Sequence, residues 1–175
     1  MLQIGDHVLT KCEKGWRAIF SELIAWWLHS KFSHVMPVVS ESGDVLDITL
    51  PKPKITSLAE WFNGNYRVMI LRPVTPLTTS EQIKFISTAQ QIRSRDYDLK
   101  SFLGFLENNP TRDPKKINCA EGTLLCDQSA GILVHHDGVL ISPQSYDDYA
   151  DGGLFQVIYG CNCPTPDDFK ALVTK

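Results

Sequence analysis

The chain predicts an α+β domain: a small antiparallel sheet packed against helices, one of which begins on a cysteine. Three observations lead there. Short β-branched runs over residues 3–10, 32–39, 45–50, 66–72 and 154–159 have strand length and are bounded by turn residues. Apolar residues recurring at three and four over residues 16–29, and helix-start signals at Thr78 and ahead of Cys119, mark helices between them. A length of 175 residues suits one unit able to bury its core without disulfides or metals.

The first run, opened by the Gly5-Asp6 turn, reads as a strand through Thr10. In the following helix Ile19, Phe20, Leu23, Ile24, Trp27 and Leu28 form one face, widened by Trp16 and Trp26. Core packing is the expected role of these aromatics, with Trp27 a candidate for a cleft wall. Residues 32–39 and 45–50 flank the turn Glu41-Ser42-Gly43-Asp44 and read as a hairpin, with Pro37 marking an edge or a bulge. Pro51-Lys52-Pro53-Lys54 is expected to break the sheet. Ser57 to Glu60 reads as a capping box for a short helix, and residues 66–72 as a strand ending at Pro73. Thr78 and Glu81 repeat the box and open a helix to about Ser94. Residues 99–107 are short helix or irregular chain, and the proline-containing loop 108–116 leads into the cysteine helix. That helix ends near Gly131, a suitable C-cap. Ser142-Pro143 starts another short helix, and a last strand over 154–159 completes a domain spanning residues 1–160, with 161–175 as a tail.

Composition excludes several function classes. The formal charge is −3, with no basic block to suggest a nucleic-acid or anionic-membrane surface, so no nucleic-acid partner is expected. No run of eighteen apolar residues and no basic-then-apolar leader occurs, which points to a cytoplasmic protein, or a virion-associated one if phage-encoded. Assembly into a phage particle or other complex is the partner expectation that follows. Five cysteines, at positions 12, 119, 126, 161 and 163, are odd in number and unpatterned, which argues against a disulfide framework. Cys161-Asn162-Cys163 is the only close pair and lacks the second pair of a zinc site, so neither a metal nor a cofactor is expected.

Chemistry concentrates in three residues. A thiol at a helix N-terminus gains from unpaired N–H groups and the helix field, which favour thiolate, and Cys119 stands there. Period-two alternation puts His34 with Met36 on one strand and Asp47 with Val45 on the next, so His34 and Asp47 can face each other across the hairpin. An imidazole base needs a group to fix its tautomer, and an aspartate in an apolar strand needs a polar partner. Cys119, His34 and Asp47 are therefore the candidate nucleophile, base and orienting acid. Glu121 is placed as a brace of the helix start, and Tyr97 as a cleft-lining residue. His7, His29, His135 and His136 are assigned structural or exposed roles.

In this order the chain resembles the circularly permuted NlpC/P60 superfamily of papain-like fold, in its YiiX/YebB-like branch. The resemblance spans about residues 3 to 160 and rests on Gly5-Asp6, Phe32-Ser33-His34-Val35, Asp47, Asn118-Cys119-Ala120-Glu121 and Ile141-Ser142-Pro143. It differs from the family pattern in Asp for the commoner Glu at 47, in Pro37, and in Ala120-Glu121-Gly122 for Ser-Glu-Leu. The resemblance implies a cysteine hydrolase that cleaves an amide through an acyl-thiol intermediate, a peptidoglycan stem peptide being the candidate substrate. Lipid acyl transfer or thioester hydrolysis is the alternative, with an exposed apolar rim from Trp26, Trp27 and Phe102 as its mark. A virion or structural protein keeping the fold without turnover is the third reading.

Overall fold

The computed structural model describes residues 1–98, 116–133 and 141–174, and readings that fall on residues 99–115 or 134–140 lie outside it. In chain order the elements are β1 (His7–Cys12), α1 (Trp16–Trp27), β2 (His34–Pro37), β3 (Asp44–Asp47), β4 (Lys54–Ser57), a 3₁₀ turn (Leu58–Trp61) and β5 (Tyr66–Pro73). There follow α2 (Thr79–Ile92), β6 (Asp96–Tyr97), β7 (Lys116–Ile117), α3 (Cys119–Ala130), α4 (Pro143–Asp151), β8 (Phe155–Asn162) and α5 (Pro166–Val173). A four-stranded antiparallel sheet, ordered β2-β1-β5-β8, forms the centre, with two-stranded pairs β3-β4 and β6-β7 beside it. The mixed α+β architecture expected from the sequence is present.

Alternation along the strands separates two packed faces of the sheet. Val8, Met36, Val68 and Ile70 pack with Leu58 and Phe62 on one side. Leu9, Val35, Leu71 and Phe155 pack with Ala120 and Leu124 of α3 and Tyr146 of α4 on the other. A third cluster joins Leu46 and Ile48 to Phe85, Ala89 and Ile92 of α2 and to Cys126 and Ala130 of α3. Each such leucine, isoleucine or phenylalanine contributes about 1.5–3 kcal/mol by leaving water. The cysteine helix is thus clamped between sheet and α2.

The expected hairpin forms only at its turn. The Val39 N–H donates to the Asp44 carbonyl at 2.8 Å and one bridge joins Val38 to Val45. Beyond it β2 follows β1, while β3 turns away to pair with β4. Pro37 accounts for the parting. The Val38 N–H points back to Asp6 and that of Val39 toward β3, so the donor missing at Pro37 belongs to the ladder with β3. The sheet break expected at residues 51–54 is corrected: after Pro53 the chain re-enters a sheet as β4, with Asp47 opposite Lys54. The Ser57 box is half formed. Ser57 Oγ accepts from the Ala59 N–H, but Glu60 turns to the Thr56 hydroxyl, and only a 3₁₀ turn follows. At Thr78 both halves of the box are made and α2 runs fourteen residues.

Two further expectations change. Residues beyond 160 are no loose tail: β8 continues to Asn162, and α5, capped by Thr165 and Asp168, lays Phe169 against Phe62 with ring centroids 5.6 Å apart. The second correction concerns α1. Its buried residues are Ser21 and Ala25, while Trp16, Ile19, Phe20, Leu23 and Trp26 are exposed, Ile19 by 73%. Small side chains let the helix lie close on β1, and the periodicity that was expected to mark a core face instead marks a face turned to solvent.

Candidate active site

Three element ends meet at the site. His34 is the first residue of β2 and is held opposite Thr10 of β1. Asp47 is the last residue of β3, and Cys119 is the first of α3. Asn118 caps that helix: its Oδ1 accepts from the Glu121 N–H at 2.9 Å. The remaining N–H groups of the first turn are left to act on the thiol. Helix and β3 approach closely at Gly122, where a Cβ would come within 2.1 Å of the Ile48 Cδ1. Ile48 is fully buried, so the space cannot be regained by swinging it outward. This contact gives a physical reason for glycine at position 122, and it sets the distance between the Cys119 helix and the chain that follows Asp47.

The three candidate residues are brought together. His34 Nε2 and Asp47 Oδ1 lie 2.9 Å apart, with His34 19% exposed and Asp47 5%. The charge of the Cys119 sulfur acts on the same ring, and Nδ1 is the nitrogen left to face the thiol because Nε2 is engaged by the carboxylate. Lys54 Nζ stands 3.7 Å from the other carboxylate oxygen, at the edge of ion-pair distance and largely in solvent.

Electrostatics at the site favour an ion pair. Burial works to raise the Cys119 thiol, but the charge of His34, its hydrogen bond and the N–H groups of Val35 and Ala120 overcome this and hold it below its ordinary value. Burial likewise opposes a charged imidazole. The Cys119 sulfur and the Asp47 carboxylate nevertheless raise His34 to about 10. The direction of both shifts is toward thiolate and imidazolium.

A cleft of about 910 Å³ opens over the pair. Asn118, Ser142 and Tyr97 line it near Cys119, and Arg17, Phe20 and Ile24 of α1 form part of its wall. Tyr97 arrives through the parallel pairing of Asp96 and Tyr97 with Lys116 and Ile117, which seats it next to the start of α3. Burial, with the nearby charges of Cys119, Asp98 and Asp47, raises its phenol, so it remains a hydroxyl donor through neutral pH. Trp27, the other cleft candidate, is half-buried and is not among the wall residues. Glu121 is half-buried at the third position of α3, and His29 is exposed. Phe102, His135 and His136 lie outside the described residues.

A second histidine–aspartate pair lies in the core. His7 Nε2 and Asp127 Oδ1 are 2.8 Å apart, both fully buried, and the Tyr146 hydroxyl donates to Asp127 Oδ2 at 2.9 Å. The His7 ring stacks on Tyr146 at 5.1 Å between centroids and meets Phe155 edge-on. His7 has the structural role expected of it. Asp127 and Tyr146 were not singled out, although a carboxylate set among Leu124, Leu125, Cys126 and Ala130 asks for a partner. This network joins β1, α3 and α4 further along the helix that Cys119 begins.

All five cysteines are free. Among the described residues no group of three or more His, Cys, Asp or Glu side chains is placed to hold a metal ion, and no helix is long and apolar enough to cross a membrane. No protein-family profile and no curated protein matches the chain. Among solved structures it is similar to the metalloprotein YiiX from Escherichia coli O157:H7, with a TM-score of 0.58 and 17% identity over 92% of this chain and 90% of that one. At that identity the likeness speaks to the fold alone.

Proposed function

We propose that the protein is a thiol-dependent acyl hydrolase on a permuted papain-like fold of the NlpC/P60 type, with Cys119 as nucleophile, His34 as base and acid, and Asp47 as the group that orients His34. The observation that carries the reading is His34 held at 2.9 Å by Asp47 on the wall of one cleft with a cysteine at the first position of a helix. In the reaction the Cys119 thiolate adds to the substrate carbonyl, and the oxyanion is stabilised by the free N–H groups of the α3 start and the Tyr97 hydroxyl. The C–N bond then breaks as His34 delivers its proton to the leaving amine. Water attacks the acyl-thiol, gives its proton to His34, and the C–S bond breaks to return the thiolate and release the acid. Amide hydrolysis, with a peptidoglycan stem peptide as substrate, is the first assignment.

A second assignment is favoured by one feature. Of the rim set as the mark of an acyl ester or thioester substrate Trp26 is exposed, and Phe20 of the same helix is both exposed and part of the cleft wall. YiiX is described as a metalloprotein. The described residues here offer no set of three donors, so no step is assigned to a metal. Wild-type and Cys119→Ala protein are to be compared on purified peptidoglycan and on a series of acyl esters. Thiol-dependent peptide cleavage supports the amide assignment and ester turnover alone supports the second. No thiol-dependent turnover of either leaves the non-catalytic reading.

A further inference from the structure

We infer that α1 is a lipid-docking helix, which seats the protein on a bilayer surface with the mouth of the cleft toward the lipid. The face is built from Trp16, Ile19, Phe20, Leu23 and Trp26, exposed by 56% to 73%. On a 3.6-residue period these five lie on one side, opposite the buried Ser21 and Ala25. An aromatic side chain carries roughly 150–250 Å² of surface, and three aromatics more than half exposed with two aliphatics exceed the scattered exposure normal for a monomer.

The chemistry of the face favours lipid over a second copy of the chain. Tryptophans stand at both ends and aliphatic side chains between them, the arrangement of a helix lying in the plane of an interface, where the indole rings sit at headgroup level. Arg17, its guanidinium 5.5 Å from the Trp16 ring centre, and the exposed Lys14 flank one end, where their stems can lie along the apolar layer and their charges reach phosphate. One helix of twelve residues, about 18 Å long and about 11 Å across, presents a face of roughly 200 Å² in projection, short of the roughly 800 Å² per partner that a stable protein interface covers. The face is also continuous with the cleft: Phe20 belongs to both, and Arg17, Ile24 and Leu28 carry the same helix into the wall that faces Cys119. A surface under α1 therefore meets the opening of the site.

This inference does not depend on turnover, and it is tested with the thiol removed. Cys119→Ala protein is mixed with phosphatidylcholine vesicles, with and without phosphatidylglycerol, and the bound fraction is measured by sedimentation together with tryptophan emission. Binding to both vesicle types with a blue shift, largely kept in 0.5 M salt, is the result expected. Adding Ile19→Glu and Trp26→Glu, both at exposed positions, is expected to weaken binding at least tenfold while circular dichroism stays unchanged. Ile83→Glu, equally exposed on α2, is the control and leaves binding as it was. Absence of vesicle binding overturns the inference, as does binding that the α1 substitutions do not reduce. A mass by light scattering that falls from dimer to monomer on those substitutions, without vesicle binding, overturns it in favour of self-association.

Discussion

The molecule contains two histidine–aspartate pairs of nearly the same geometry in opposite settings. His34 and Asp47, 2.9 Å apart, stand at the wall of a cleft with a thiol as third partner. His7 and Asp127, 2.8 Å apart, are sealed in the core with a phenol as third partner. The contact alone thus says nothing about chemistry. The third group and the access do: Cys119 offers a nucleophile whose proton the imidazole can take, whereas Tyr146, its phenol pushed well up by burial and by Asp127, keeps its proton and serves as a donor. On the proposed reading the first pair moves a proton, while the second holds β1, α3 and α4 together.

The largest effects that separate the pairs concern turnover. Cys119→Ala is expected to reduce hydrolysis of any substrate to background. His34→Ala should lower kcat/KM by roughly 10²–10⁴, the range of general acid–base catalysis. Asp47→Asn should lower it by up to about 10⁴, the size of the same change at a catalytic triad, because the amide favours the wrong tautomer of the imidazole. None of the three should shift the urea midpoint as far as a core substitution. Equal losses of stability and activity would break the distinction.

At the core pair the expectation reverses. Asp127→Ala leaves the His7 ring and the Tyr146 hydroxyl without their acceptor, a loss of about 3–5 kcal/mol by urea unfolding. The activity of the folded fraction, measured by titrating the reactive thiol, should be kept. If Asp127→Ala instead lowers activity per folded molecule as far as His34→Ala does, the second pair has a share in the chemistry. Gly122→Ala tests the link between the two regions. Its methyl meets Ile48 next to Asp47, so a cost of about 1–3 kcal/mol from overpacking should come with reduced turnover. Tyr146→Phe, which removes one donor and keeps the ring stack, is the mildest change, at about 1 kcal/mol in the same unfolding assay.

The site was legible in the sequence because its members carry local signals. Cys119 stands where a turn feeds a helix, His34 and Asp47 fall in phase on two strands flanking one turn, and an aspartate in an apolar strand needs a partner. The core pair was not, because Asp127 meets His7 across 120 residues and no spacing rule reaches that far. Helix α1 was legible as a helix but not in its orientation. Period 3.6 shows that an apolar face exists and is silent on whether protein or some other surface covers it. Strand β4 was hidden by the prolines at 51 and 53, read as a stop when the pairing resumes just after them. The expected tail holds a capped helix of eight residues, with Pro166 at its first turn, and its contact with Phe62 spans too much of the chain for any local pattern to show.

The measurement that bears most directly on the central claim is the pH dependence of alkylation at Cys119. Iodoacetamide modification is followed by peptide mass spectrometry in wild-type and His34→Ala protein, with Cys126, whose thiol burial pushes up, as an internal reference. The thiolate is the reactive form, so a depressed thiol stays reactive as pH falls below its ordinary value of 9.0, and its midpoint lies on the acid side. The expected result is a low midpoint for Cys119 in the wild type that climbs when His34 is removed, since burial is then left without the opposing charge. A second inflection near pH 10, where the His34 imidazolium gives up its proton, should be present only in the wild type. Alkylation of Cys119 with an ordinary thiol midpoint in both proteins would contradict the account.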